Sequence, residues 1–410
     1  MILRKNFFEL FFPLFFILVS IGYLFGIKGI INVSLILGIL LNITFIIKNK
    51  CYRQIKFSYF KNILIPMIIF DFCILVISFF SVDINTSFNF ADHYFKWMAI
   101  PFIGALLLGY TIENKIPKLI FWSVLIWSLL TTVGIYWNSI VEGNLRAISF
   151  FIKFPNAAAG SLAFILPFVL LNKQINNKYI NMLLSLLIIY AIFLTGSRGA
   201  FLATAFMLIL LCTFKYYDLK KLLVKKYVYL AIAVLVVFFN VINIDLSTRY
   251  TEIFKNSDEL IENRIGGDRL LLWRSSIEMI KDYPITGVGL HNFNKVYIEN
   301  GYISDYAKEP NLMSPHNLVL HIFVETGLIG ICSFLFLIYS QFKFLSSFIK
   351  KDDFVLAYFL AIVVMLVHGM VDYLFLVKDF YQLYWFLWGC ICIYIYKVMS
   401  KTKEGHSKNR

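Results

Sequence analysis

The chain has 410 residues, of which 60% are hydrophobic and 15% are charged. A soluble domain carries roughly 25% charged residues, so this composition excludes an ordinary soluble globular fold. Apolar runs of about 18 to 22 residues recur along the whole chain, and a run of that length crosses the hydrocarbon core of a bilayer. The composition therefore predicts an all-α polytopic membrane protein.

The apolar runs predict about twelve transmembrane helices. If the amino terminus is cytoplasmic, the cytoplasmic segments hold 24 Lys and Arg and the outer segments hold 14, eight of them in one long loop. Because short loops set the orientation, the eight Lys and Arg of the long loop are left out, and 24 cytoplasmic Lys and Arg compare with six outside. The net charge of +14 thus reflects topology, and we expect membrane lipids but no nucleic acid as partners. The predicted spans are 7–26, 29–47, 62–80, 93–112, 119–138, 156–171, 179–195, 199–214, 227–244, 316–339, 354–372 and 380–396.

These spans divide the chain into four segments. The first apolar run lacks a small-residue cleavage site, so it is interpreted as a retained helix and not as a signal peptide. The six cysteines form no CxxC pair, which indicates neither a disulfide framework nor a metal knuckle. The segments are transmembrane helices 1–9 (residues 1–244), a periplasmic loop (245–313), transmembrane helices 10–12 (314–396) and a basic cytoplasmic tail (397–410).

Two arginines precede the long loop and belong to the outer face. Arg146 lies in NLRAISFFIKFPNAAAG before span six, and Arg198 lies in the turn TGSRGAF between spans seven and eight. The long side chain of an arginine at a membrane edge often only extends to the lipid headgroups, without a further function. Since no other charge lies in this Gly-Ser-Arg-Gly turn, we favour a functional role for Arg198.

The long loop contains a helix in GGDRLLLWRSSIEMIKDYP. Leu270, Trp273, Ile277 and Ile280 recur at helical spacing, and Tyr283-Pro284 is a suitable stop. We expect this helix to be amphipathic and to lie at the outer membrane surface, with Trp273 at headgroup level.

Arg269 falls in the first turn of this helix. Free N–H groups and the positive end of the helix dipole favour an anion there. The alternative is an ordinary surface arginine paired with Asp268 or Glu262. This residue alone does not decide between the two interpretations.

Polar residues also open the tenth span. His316 follows a proline at the water boundary, where an imidazole can act as a general base. Asn317, His321 and Glu325 then follow at four-residue steps, so they share one helix face and should point into the bundle. For His321 and Glu325 we favour a structural hydrogen bond to each other.

Asp372 is predicted to end span eleven on the same outer face. Several arginines, one histidine and one aspartate thus converge there from distant segments, although Arg146 and Asp372 could each be bystanders. Arginines suit a pyrophosphate, whose oxygens accept paired N–H donors. No acidic cluster with metal-ligand spacing appears on this face, so we expect neither a metal nor another cofactor.

At this point the motifs resemble the O-antigen ligase family, multi-spanning enzymes that transfer a glycan from undecaprenyl pyrophosphate. The resemblance runs in chain order from about Arg146 to Asp372, while the first five spans match only in hydrophobicity. The motifs that carry it are RAISFFIKFPNAAAG, TGSRGAFLA, DRLLLWRSSIEMIKDYPITGVGLHNF and SPHNLVLHIFVETGLIG.

The resemblance implies a GT-C-like architecture, metal-independent chemistry and a role for each matching residue. Arg269 and His316 would be the catalytic pair, and Arg198 would bind the pyrophosphate. Arg146, Asn317 and Asp372 are further substrate-binding candidates. We expect a bacterial inner-membrane enzyme that transfers a lipid-linked glycan to lipid A–core or another glycan acceptor at the periplasmic face. The alternatives are a polysaccharide polymerase, whose acceptor is another lipid-linked repeat unit, and a polysaccharide transporter.

Overall fold

The structure, a computed structural model, describes residues 2–49, 57–112, 115–144, 146–215, 267–303 and 314–407. Within these ranges all regular secondary structure is helical. The helices are α1 (Ile2–Phe25), α2 (Lys28–Lys48), α3 (Phe57–Ser78), α4 (Ile84–Ile112), α5 (Ile116–Tyr136), α6 (Pro155–Leu170), α7 (Lys178–Leu194), α8 (Arg198–Lys215), α9 (Gly267–Asp282), α10 (Phe293–Glu299), α11 (Leu318–Ser346), α12 (Asp353–Gly369) and α13 (Lys378–Ser407).

The described helices have the length and apolarity of membrane spans. Six of them (α2, α3, α4, α5, α8 and α11) are long and apolar enough to cross a bilayer, and four shorter apolar helices accompany them. The predicted ninth span, 227–244, lies outside the described residues, so the count of twelve stays a prediction. The chain is a multi-pass membrane protein, as its composition predicted.

The helices form a bundle with a continuous apolar core. Helix α13 packs along α4, α11 packs against α3, and α12 packs against both α6 and α8. A glycine makes the α13–α4 contact close, because a Cβ at Gly389 would lie 2.6 Å from the carbonyl oxygen of Phe102. The pairing of α12 with α6 and α8 matters most for function, since these helices carry candidate residues at their ends.

Helix α11 is interrupted inside the bundle. Gly327 has a φ of 60° and a ψ of −162°, which no helical residue adopts. The backbone freed there pairs with the loop after α9: the N–H groups of Val288 and Gly289 donate to the carbonyls of Val324 and Glu325, each at 2.9 Å. The TGVGL segment is therefore a docking segment that joins the long loop to α11.

The structure corrects two sequence-based boundaries at this end of the bundle. Helix α11 begins at Leu318 with Asn317 as its N-cap, so His316 and Pro315 precede the helix instead of forming its first turn. Helix α12 ends at Gly369, which places Asp372 in the following turn. The Asn317 side chain caps the start of α11 and also donates to the carbonyl of Met370 at the end of α12, and hydropathy detects neither contact.

Helix α9 is present and ends at Asp282, directly before the predicted Tyr-Pro stop. Its buried face differs from the predicted one, because Leu272 and Met279 are buried against Val288 and Phe293 while Ile277 is 45% exposed. The side chains of Asp268 and Leu270 lie outside the described residues. The helix therefore rests on the protein through one face, and its location at the membrane surface stays a prediction.

Candidate active site

Five candidate residues lie on segments that meet at one end of the bundle. Arg146 lies in the loop between α5 and α6, Arg198 begins α8, and Arg269 lies near the start of α9. His316 lies directly before the cap of α11, and Asp372 follows α12. Contacts between these segments place their ends at one face, which we call the site end: Gly199 meets Val371, Trp273 meets Pro315 and His316 lies near Asp372.

Backbone contacts bring Arg146 close to the turn that carries Arg198. The N–H of Ala147 donates to the carbonyl of Leu194 at the end of α7, at 3.1 Å. The guanidinium of Arg146 donates to the side-chain oxygen of Asn156 at 3.0 Å. Both arginine side chains are exposed, so their charges are accessible from the site end.

A close helix contact places Arg198 beside the turn after α12. A Cβ at Gly199 would clash with the side chain of Val371. Gly160 on α6 approaches the same region, since a Cβ there would lie 2.8 Å from the imidazole of His368. These two glycines let α6 and α8 approach the end of α12, which carries Asp372 next to Val371.

Arg269 is influenced by the other charged residues at the site end. Burial lowers the pKa of Arg269, and the positive charges of Arg198 and Arg146 lower it further. The carboxylate of Asp372 acts in the opposite direction. Three like charges thus share one region with the carboxylate of Asp372, and a concentration of positive charge favours a bound anion.

His316 has an uncommon backbone conformation. Its φ is +48°, in the left-handed region that few non-glycine residues adopt. The side chain is 28% exposed, and its Nδ1 lies 3.7 Å from Oδ1 of Asp372. A strained histidine that faces both solvent and a carboxylate is the arrangement expected of a functional residue.

Asp372 is held in its ionised form. Burial alone would raise its pKa, but the imidazoles of His316 and His368 and the backbone N–H of Tyr373 hold the pKa below its ordinary value. The N–H of Tyr373 donates to Oδ1 of Asp372 at 2.8 Å. A negative charge therefore stays beside His316 and can stabilise an imidazolium that forms there.

Asn317 already uses its side-chain amide in the protein. Its oxygen accepts from the N–H of Leu320 at 3.0 Å, which caps α11. Its nitrogen donates to the carbonyl of Met370 at 2.9 Å, which ties the start of α11 to the turn that carries Asp372. These contacts support a positioning function, and direct substrate binding by Asn317 stays a prediction.

The His321–Glu325 contact that the spacing favoured is present. Nε2 of His321 lies 3.2 Å from Oε2 of Glu325, and the two residues are 6% and 3% exposed. The His321 ring is parallel to Tyr373 at 5.8 Å between centroids, and His316 meets Tyr373 edge-on at 5.4 Å. The buried pair therefore supports a tyrosine that also contacts the candidate base.

The sequence interpretation missed the contacts that Trp273, Tyr373 and His368 make in this region. The headgroup level expected for Trp273 stays a prediction; the sequence did not predict that its Nε1 donates to the carbonyl of Pro315 at 2.9 Å. Tyr373 was detectable only as the neighbour of Asp372 in HGMVDYLF, and His368 only as a histidine one turn before it. Among the described residues, no group of three His, Cys, Asp or Glu side chains is arranged to hold a metal ion.

Comparison with known proteins agrees with the motifs. Residues 183–335 match the family model described as O-antigen ligase. This stretch contains Arg198, Arg269 and His316, whereas Arg146 and Asp372 lie outside it. The match thus covers the part of the chain that supplies three of the five converging residues.

Two curated relatives are both named "Putative polysaccharide ligase". The one from Rickettsia felis is 28% identical over 136 residues, which is 32% of each protein. The one from Rickettsia prowazekii is 27% identical over 178 residues, 40% of this chain and 42% of the relative. The similarity thus spans less than half the length of these relatives. Together with the family match, it confirms the resemblance of this membrane protein to the O-antigen ligase family.

Proposed function

We propose that the protein is a glycosyltransferase that moves a glycan from undecaprenyl pyrophosphate to an acceptor sugar at the periplasmic face of the bacterial inner membrane. The observation that carries the proposal is the convergence of Arg146, Arg198 and Arg269 beside His316. The family match adds the class of substrate, since O-antigen ligases act on lipid-linked glycans. Lipid A–core is the proposed acceptor.

In this proposal the three arginines hold the pyrophosphate of the donor. A guanidinium presents paired N–H donors to two oxygens at once. As the bond between the anomeric carbon and the pyrophosphate oxygen breaks, negative charge grows on the leaving group. Cations already fixed in place stabilise that charge without reorganisation, so the arginines provide the stabilisation and the reaction proceeds without a metal.

His316 acts as the general base. It takes the proton from an acceptor hydroxyl while the hydroxyl oxygen attacks the anomeric carbon. Asp372 stabilises the resulting imidazolium, because its carboxylate lies 3.7 Å from Nδ1. Direct displacement places the acceptor opposite the leaving group, so the anomeric centre inverts.

A transfer assay with purified protein tests the proposal. The reaction contains the undecaprenyl-pyrophosphate-linked glycan of the source organism and lipid A–core, without added metal. We expect a larger core species and one released undecaprenyl pyrophosphate per transfer. His316→Ala should abolish the transfer while undecaprenyl pyrophosphate still binds, because the arginines hold the donor.

The products separate the alternatives. A ladder of longer lipid-linked glycans would identify a polysaccharide polymerase, whose acceptor is a second lipid-linked unit. Glycans that cross a vesicle membrane with every covalent bond unchanged would identify a transporter. Full transfer by His316→Ala would disprove the proposed function of the base.

A further inference from the structure

The backbone next to His316 is fixed by a side chain from the long loop. Nε1 of Trp273 donates to the carbonyl oxygen of Pro315 at 2.9 Å, and this carbonyl belongs to the peptide bond that joins Pro315 to His316. Pro315 and the preceding Ser314 are buried. The contact therefore acts on the peptide group that sets the orientation of His316.

This turn needs external support. At a φ of +48°, the Cβ of His316 is crowded by its own backbone, and such a conformation persists only where neighbouring contacts impose it. On one side Asn317 is held by the cap of α11 and by Met370. On the other side Trp273 holds the Pro315 carbonyl. The His316 N–H itself makes only a long hydrogen bond, to the Ser314 hydroxyl at 3.5 Å.

Trp273 lies on a helix that is itself held in place. Leu272 and Met279 of α9 are buried against Val288 and Phe293, and Val288 is bonded through its N–H to Val324 of α11. The indole therefore projects from a supported helix, and its N–H direction is fixed relative to α11. Residues four apart share a helix face, so Trp273 and Arg269 face the site end together.

We infer that Trp273 is a positioning residue for His316: its N–H holds the Pro315–His316 peptide so that the imidazole stays beside Asp372 and faces the acceptor. The inference rests on the proposed function of His316 as base. On this inference α9 carries two residues of the site: Arg269, which binds the donor pyrophosphate, and Trp273, which positions the base.

Trp273→Phe tests this inference, because it removes the N–H and keeps an aromatic ring. Transfer is measured with the undecaprenyl-pyrophosphate-linked glycan and lipid A–core. We expect kcat to fall by roughly 10- to 100-fold, since small misplacements of a catalytic group have effects of that size. The donor KM, and the affinity for undecaprenyl pyrophosphate alone, should not change.

Two further proteins complete the experiment. Trp122→Phe is the matched control, because Trp122 lies on α5 with its side chain 40% exposed, and its kcat should equal that of the original protein. If Trp273→Phe does not accumulate, benzothienylalanine at position 273 keeps the indole shape, lacks the N–H and should give the same fall in kcat.

Each outcome has one meaning. Unchanged kcat in Trp273→Phe, or in the benzothienylalanine protein, would overturn the inference. A raised donor KM with normal kcat would also overturn it, since Trp273 would then act through Arg269. If His316→Ala itself transfers glycan normally, the proposed function fails, which is a separate result from the failure of Trp273.

Discussion

Three arginines from separate segments repel one another at the site end, and the pKa of Arg269 is lowered mainly by burial and further by the charges of Arg198 and Arg146. Such an arrangement costs folding free energy unless an anion binds between the charges. Lysine and arginine are not equivalent there, because only arginine presents a planar fork of N–H donors to a phosphate. The identity of the side chain at position 269 is therefore a direct test of the charge arrangement.

Arg269→Lys is expected to lose most transfer activity while the protein still inserts and accumulates. Loss of one charge-assisted hydrogen bond costs about 1.5–3 kcal/mol, which corresponds to a fall in kcat/KM of roughly 10- to 150-fold. Arg274→Lys, at an exposed position of the same helix, is the control and should stay active. Near-normal transfer by Arg269→Ala would rule out the proposed function of this residue.

The charged residues of the candidate site could be predicted from the sequence. The residues that hold them in place could be predicted much less well. An arginine in a short outer turn or a His-Asn pair at a span boundary is conspicuous in a chain with few charges. Trp273 and Tyr373 are not conspicuous, since aromatic residues are common at membrane boundaries. Their contacts depend on how α9 and the turn after α12 pack, which local sequence patterns do not specify.

Within α11, the buried pair of His321 and Glu325 accounts for two ionisable groups at membrane depth. Removing one partner of a buried pair leaves the other uncompensated, at a cost of about 3–5 kcal/mol. His321→Phe keeps a ring against Tyr373, and we expect it to lower the free energy of unfolding by an amount of that order. Thermal unfolding of the purified protein in detergent measures the effect.

The double variant His321→Phe/Glu325→Gln should recover most of that loss, because neither remaining group carries a charge. If the double variant is less stable than His321→Phe alone, the pair does not act as a unit and this interpretation is wrong.

The docking of TGVGL against the break in α11 gives a second prediction at the level of elements. Gly287 has a φ of +69°, and a Cβ there would lie 2.5 Å from the carbonyl oxygen of Val324. Gly301 has a similar φ of +74° but has open space around it. Gly301→Ala thus measures backbone strain alone, about 1–2 kcal/mol, and Gly287→Ala measures strain plus the lost contact.

We expect Gly287→Ala to be less stable than Gly301→Ala by about 1–3 kcal/mol, the usual cost of forcing atoms into a packed region. Thermal unfolding of both purified variants gives the comparison. Equal unfolding temperatures would show that the loop does not depend on its contact with α11.

Helix existence was easier to predict than helix ends. Apolar runs predicted α11 and α12, because about twenty apolar residues are needed to cross a bilayer. The starts and stops at Asn317 and Gly369 depend on side-chain caps and on the Asn317–Met370 contact. The break at Gly327 was also missed, since a glycine within an apolar run does not by itself predict where another segment will dock.

For the whole molecule, the distribution of Lys and Arg predicts that both termini are cytoplasmic and that residues 245–313 are outside. Single cysteines introduced at Lys295 and near the carboxyl terminus can be labelled from one side of intact cells. We expect an impermeant reagent added outside to label the loop cysteine only. An externally accessible carboxyl terminus would place the site end in the cytoplasm and contradict the proposed donor.

The central claim is that residues from five separate segments form a single site for a lipid pyrophosphate. A structure of the purified protein determined with undecaprenyl pyrophosphate tests it most directly. We predict that the pyrophosphate lies among Arg146, Arg198 and Arg269, with His316 facing the side on which the glycan would be attached. A pyrophosphate bound at the opposite end of the bundle, or in contact with none of these arginines, would contradict the account.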